Sequence, residues 1–150
     1  MHARVSTFPP GGDVRPPAGA VRALVLAHRD DGGVLSIALF DGEPTTDQTG
    51  EVFAVATEQL RPEREARYAR VSTHHGFPMR DVSPSPLVGL DGLAGWMMLI
   101  DRRSGKGLGI LLFDSEDTLR RGDEFVSAAD SGTAGPASAV DFYDVAFVGS

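Results

Sequence analysis

Two stretches of this 150-residue chain occur twice, and that repetition constrains its fold more than any other feature. The pentapeptide Ala3-Arg4-Val5-Ser6-Thr7 returns unchanged as Ala69-Arg70-Val71-Ser72-Thr73. A Phe-Pro follows each copy, at Phe8-Pro9 and Phe77-Pro78. A longer stretch from Val21 aligns with one from Ala94. Its identities include Leu26/Leu99, Arg29/Arg102, Gly32/Gly105, Leu35/Leu108, Ile37/Ile110, Leu39/Leu112, Phe40/Phe113, Asp41/Asp114 and Glu43/Glu116. Unrelated hairpins can share a hydrophobic pattern. They rarely share the punctuation too: Arg before the turn, Gly inside it, Phe-Asp at the exit. The repeat therefore predicts an internally duplicated chain, with residues 1–65 as the first unit and 66–150 as the second, fused into one compact domain. The two matches are offset by 66 and 73 residues, so the second unit carries a longer segment after its first strand.

Each unit follows the same plan. A short β-branched strand opens it, Ala3–Thr7 or Tyr68–Thr73, and a connection broken by Pro and Gly follows. A hairpin comes next, with strands near Arg22–His28 and Val34–Phe40, or Gly95–Asp101 and Gly107–Phe113. Asp30-Asp31-Gly32-Gly33 and Arg103-Ser104-Gly105-Lys106 supply the turns, where Gly permits positive φ. The hairpin strands are apolar on both faces, which predicts a sheet covered on each side. A helix is expected after each hairpin. In the first unit Thr45 and Gln48 form a capping-box pattern, Val52, Val55, Ala56 and Leu60 share a helical face, and Pro62 ends it. In the second, Asp114 or Ser115 can cap, Leu119, Val126 and Ala129 form the stripe, and Gly122 weakens the helix. A final strand over Val140–Val148 follows a loop.

Composition narrows the function classes. The net charge of −7 argues against a general nucleic-acid or anionic-membrane partner, although Arg61, Arg64, Arg67 and Arg70 crowd together. The chain has no cysteine, so thiolate chemistry, disulfides and cysteine metal sites are excluded. The start of the chain has no apolar signal-peptide core, and the run Trp96–Ile100 is far too short to cross a bilayer, which predicts a cytoplasmic protein.

YARVST (Tyr68–Thr73), GWMMLIDRRSGKGLGILLFDSEDTLR (Gly95–Arg120) and FYDVAFVG (Phe142–Gly149) resemble the dimeric α/β-barrel superfamily, the ferredoxin-like group that includes antibiotic-biosynthesis monooxygenase domains. That resemblance implies an α+β fold in which two βαββαβ units pack their antiparallel sheets into a barrel. A monomeric pseudo-dimer and a homodimer both fit. This sequence departs from the pattern where Pro9, Pro10, Pro16 and Pro17, and later Pro78, Pro84 and Pro86, exclude a full helix after the first strand of each unit. At most a turn or two fits near Val88–Leu93. Few helices are therefore expected. Arg64–Thr73 is expected to end one unit and start the next, giving about seven strands.

His74 and His75 leave a strand side by side and must point to opposite faces, so they suit acid–base work by one ring better than a shared metal. No HExxH or HxxH spacing occurs, and neither a metal nor another cofactor is expected. His28 ends a strand, where it either lines a ligand or is solvated. His2 is expected to be idle. Trp96, the sole tryptophan, stands where the first unit has Ala23. With Met97 and Met98 it offers an adaptable apolar wall for a flat hydrophobic ligand, against the plainer reading as core. Arg70 would bind an anion or enolate if it faced the barrel interior, and would be a surface residue if it faced out. Tyr68 and Tyr143 are candidate hydrogen-bond donors. Gly105-Lys106-Gly107-Leu108-Gly109 is a hairpin turn, not a phosphate loop.

The resemblance implies a small enzyme of the cofactor-independent monooxygenase type, or a related secondary-metabolism cyclase or isomerase. Its substrate would be a flat, apolar, aromatic or polyketide-like molecule. His74 or His75 would be the acid or base, Arg70 or Tyr68 would polarise an oxygen, and Trp96, Met97, Met98 and His28 would line the ligand. The same fold also suits a non-catalytic ligand binder or association protein, and the absence of a dense polar constellation favours that alternative.

Overall fold

The computed structural model describes residues 1–11, 14, 18–42, 51–61, 63–75, 92–101, 103–130 and 139–149. Eight strands and one helix lie among them. They are β1 (His2–Phe8), β2 (Arg22–His28), β3 (Val34–Phe40), β4 (Glu51–Leu60), β5 (Tyr68–His74), β6 (Leu93–Asp101), β7 (Lys106–Phe113), α1 (Glu116–Asp130) and β8 (Ala139–Gly149). The strands close into a barrel in the order β1-β3-β2-β8-β5-β7-β6-β4, every neighbour antiparallel. One chain thus closes its own barrel. Within each half the order is last, first, third, second, that of a ferredoxin-like sheet. β4 and β8 each bridge the first strand of their own half to the second strand of the other.

The strands that share sequence also share register. Ala3 pairs with Leu39 and Val5 with Ile37. In the other half Ala69 pairs with Leu112 and Val71 with Ile110. Both hairpin turns close with the same bond. The Gly32 N–H donates to the His28 carbonyl (2.9 Å), and the Gly105 N–H to that of Asp101 (2.8 Å). Gly32 and Gly105 take φ of 74° and 75°, which a side chain would disfavour.

Two expectations need correction. Glu51–Leu60 is a strand, not the second half of a helix, and the barrel has eight strands rather than seven. β4 is the separate last strand of the first half, so none is shared. Its apolar spacing imitates a helix because a bulge between Val55 and Thr57 breaks the alternation. Phe53 and Val55 pack on the barrel core before the bulge and Leu60 after it. Val52, Phe53, Val55 and Thr57 also favour an extended chain. The proposed cap at Thr45 and Gln48, the Pro62 stop, and the segments 78–91 and 131–138 lie outside the described residues.

The second helix forms as expected. Ser115 caps it: the Thr118 N–H donates to Ser115 Oγ (3.2 Å), and the Ser115 N–H to Thr118 Oγ1 (3.3 Å). Gly122 has a packing reason, since a Cβ there would stand 2.3 Å from the Phe113 ring. Leu119 and Val126 pack on the sheet; the Ala129 side chain is not among those described.

The core has two parts. Alternate residues of all the strands fill the barrel, among them Val5, Leu24, Ile37, Phe53, Val71, Met97, Leu99 and Ile110. A second cluster, Leu93, Trp96, Leu111, Phe113 and Leu119, lies outside the barrel beneath α1. This cover accounts for the outer burial of β6 and β7; β2 and β3 are likewise buried on both faces, as expected.

Candidate functional site

Strand alternation decides which chemistry meets. Ala69 and Val71 enter the barrel core, so Tyr68, Arg70, Ser72 and His74 share the outer face of β5. Register then builds rows across that face. Trp96, Leu111, Arg70 and Phe142 form one, and Met98, Gly109 and Ser72 the next. Ile100, Gly107 and His74 form a third. Five of the anticipated side chains, Tyr68, Arg70, His74, Trp96 and Met98, therefore lie on one surface, part of it beneath α1. The other three lie elsewhere: Met97 points into the barrel core, His75 is exposed, and His28 ends β2.

Arg70 follows neither alternative drawn from the sequence. It faces out of the barrel, yet it is 2% exposed, because α1 lies over it. Its Nε donates to Asp123 Oδ1 on that helix (2.8 Å). Ser72 donates to the Gly109 carbonyl (3.4 Å). The Ser72 hydroxyl oxygen also stands 3.0 Å from His74 Nε2, so the serine links the imidazole to the strand beside it. Gly109 makes room for this arrangement, since a Cβ there would stand 2.8 Å from Ser72 Oγ and 3.4 Å from Met98 Sδ. His74 is 9% exposed. Tyr68 packs on the outer cluster with the Arg29 guanidinium 5.6 Å over its ring. Arg29 in turn donates to Glu116 at the start of α1 (2.6 Å), which raises the arginine's pKa and lowers the carboxyl's. Arg29 thus ties the end of the first hairpin strand to the start of α1; its repeat counterpart Arg102 is outside the described residues.

A second constellation surrounds His28. Its Nε2 bonds Asp141 Oδ1 at 3.0 Å, and its Nδ1 accepts the Asp30 N–H at 3.2 Å. Tyr143 meets it edge-on at 5.0 Å. The Asp141 bond raises the His28 pKa, with Asp31 adding to it. Burial, then Asp141, raises that of Tyr143. His28, Tyr143, Thr7, Phe8, Asp31 and Leu35 border a cavity of about 400 Å³. Both ring nitrogens of His28 already have partners within the protein, Asp141 and the Asp30 N–H. His2 is not idle: its Nδ1–H donates to the Gly42 carbonyl (2.9 Å), and its ring stacks on Phe40.

The Asp123 and Ser72 contacts were not legible from spacing. The signal that could have found them is the phase of β5: Arg70, Ser72 and His74 alternate with Ala69 and Val71. Among the described residues no group of three His, Asp or Glu side chains is placed to hold a metal. No described helix is long and apolar enough to cross a membrane.

No family model matches the chain, and no curated protein matches its sequence. Solved structures do match its shape. An anthrone oxidase-like protein superposes with a TM-score of 0.65 at 13% identity, covering 99% of this chain and 92% of that one. A candidate monooxygenase from Fusobacterium nucleatum gives 0.60 at 10% identity, covering 98% and 93%. A major regulator of staphylococcal pathogenesis also gives 0.60, at 11% identity, covering 95% and 98%. The chain has the antibiotic-biosynthesis-monooxygenase-like, dimeric α/β-barrel fold. At these identities the likeness is one of fold, which hosts enzymes and a regulator alike.

Proposed function

We propose that the protein binds a flat, apolar, enolisable aromatic molecule at the outer face of its second half and oxygenates it. The observation that carries this reading is the burial of Arg70, Ser72 and His74 on the same face as Trp96 and Met98. Buried polar groups in a line beside an adaptable apolar wall are what proton abstraction from a hydrophobic carbon acid requires. In this reading the His74 imidazole takes the proton and Ser72, 3.0 Å from its Nε2, holds the ring. Trp96 and Met98 take the aromatic body. Arg70, fixed through Nε by Asp123, offers its terminal nitrogens to the oxygen that becomes anionic. The electron-rich anion then reacts with dioxygen, and the names of two of the matched structures, an anthrone oxidase-like protein and a candidate monooxygenase, support that outcome. We further infer that the chain works as a monomeric pseudo-dimer, because it supplies both halves of its barrel.

Oxygen uptake with anthrone as the probe tests the reading. The expected result is uptake above that in buffer, lowered about 100-fold or more by His74→Phe, which installs the residue at the equivalent position of β1. His28→Asn should leave the rate within about twofold, since that ring lies away from this face. Uptake no faster than in buffer overturns the oxygenase reading. A rate unchanged in both His74→Phe and Arg70→Gln moves the chemistry off this face.

A further inference from the structure

The arginines crowded between residues 61 and 70 do not form one patch. Arg70 goes under α1, and Arg67 folds back onto Glu65 (3.0 Å). Arg61 and Arg64 instead join Arg22, at the start of β2, around a cleft of about 810 Å³. That volume is within the range of small-molecule sites. The apolar walls include Leu60, Ala66, Val145, Phe147 and Val148. Four of these five pack against the edge of the barrel core, and Phe147 is 42% exposed. A chain of net charge −7 thus gathers three cations around one apolar hollow.

Each guanidinium is held in place. Arg22 pairs with Glu58, and Arg64 with Asp114 (2.9 Å). Arg61 lies 5.6 Å over the Trp96 ring. Arginines held this way lose less entropy when they take up an anion. The acidic residue of the lining, Glu65, is occupied by Arg67.

We propose that this cleft binds an amphipathic anion, an apolar small molecule bearing a single carboxylate. The apolar body would cover Leu60, Phe147 and Val148, gaining hydrophobic free energy in proportion to the area removed from water. The carboxylate would meet the guanidinium forks. A more highly charged head would face the nearby Glu58, Glu65 and Asp114. The cleft takes none of its lining from β5 and meets that face where Arg61 lies over Trp96, and the proposal does not rest on the oxygenase reading.

Isothermal titration with decanoate, and with decan-1-ol as its uncharged counterpart, tests it on the whole protein. The expected result is decanoate binding at least tenfold tighter than decan-1-ol, weakening as salt is added. Arg61→Gln/Arg64→Gln should lose at least tenfold in affinity for decanoate, and His74→Phe should keep the wild-type value. If the double variant no longer unfolds cooperatively, Phe147→Asp reads the same wall from an exposed position and must lose decanoate binding. Equal binding of acid and alcohol, absence of binding, or wild-type affinity in the folded variants overturns the proposal.

Discussion

The two halves carry the same Arg-x-Ser line on the outer face of their first strands and surround it with different neighbours. In the second half the row through Arg70 holds Trp96, Leu111 and Phe142, large side chains that pack beneath α1. In the first half the row through Arg4 holds Ala23, Ala38 and Val52. The next row exchanges Met98 and Gly109 for Val25 and Ser36. At the end of the line His74 is replaced by Phe8, which is exposed. Equivalent backbone thus presents two different surfaces. The difference comes from side-chain volume and from the helix, because residues 114–138 connect the last two strands of the second half while residues 41–50 connect those of the first. Arg4 is buried too, at 6%, so what separates the two lines is their company: large side chains and α1 around Arg70, smaller side chains around Arg4.

The largest effect expected from this difference is at the Arg70–Asp123 pair. Asp123→Ala leaves a buried guanidinium without its carboxylate. A fully buried broken pair costs about 3–5 kcal/mol and an exposed one under about 1 kcal/mol. With Arg70 at 2% and Asp123 at 34% side-chain exposure, an intermediate loss of about 2 kcal/mol is expected by urea unfolding. Arg70→Met/Asp123→Ala should recover most of it, since no charge is then left buried. A loss under about 0.5 kcal/mol would mean that α1 does not hold Arg70.

How much of this could be seen in the sequence follows from the range of the forces involved. The hairpins were legible because Gly32 and Gly105 mark their turns and because β2 and β3 recur in β6 and β7. α1 was legible from Ser115 and the Leu119–Val126 stripe. β4 was not, because one bulge turned a period of two into spacings that a helix also shows. The shared facing of Arg70 and His74 was readable from the alternation of β5, but their cover was not, because the Arg70–Asp123 bond joins residues 53 apart in the chain. His28 and Asp141 meet across 113 residues, a contact that only barrel closure brings about.

Gly122 gives the next effect and tests why the second half tolerates a glycine in its helix. Alanine there would gain up to about 1 kcal/mol of helix propensity. Its Cβ, however, would stand 2.3 Å from the Phe113 ring, and overpacking costs about 1–3 kcal/mol. A net loss of about 1 kcal/mol is expected in Gly122→Ala. It should be abolished in Gly122→Ala/Phe113→Leu, where the ring that clashes is gone. A gain in the single variant would show that the ring moves freely and that α1 sits loosely on the sheet.

The smallest effect compares the turns themselves. His28 and Asp101 end equivalent strands, and each accepts the N–H two residues on: Asp30 to His28 Nδ1 (3.2 Å), Arg103 to Asp101 Oδ1 (3.0 Å). Their pKa values move in opposite directions. The Asp141 bond raises His28 above 6.5, so its contribution is fully present below about 6.5 and is lost as the pH rises through the higher folded value. The Arg103 N–H, then the Ser104 hydroxyl, lower Asp101 below 3.8. Its contribution is therefore present above about 3.8 and is lost as the pH falls through the lower folded value. Protonated His28 must give up the Asp30 N–H, but Asp31 Oδ1 stands 3.6 Å from Nδ1 to receive the new proton. Urea midpoints followed from acid to alkaline pH should separate the two turns. His28→Asn should flatten the decline above pH 6.5 and leave the acid limb alone, while Asp101→Asn should change only the acid limb. A decline above pH 6.5 that survives in His28→Asn would mean that the Asp141 bond is not coupled to folding, and that the two turns differ in residue but not in energy.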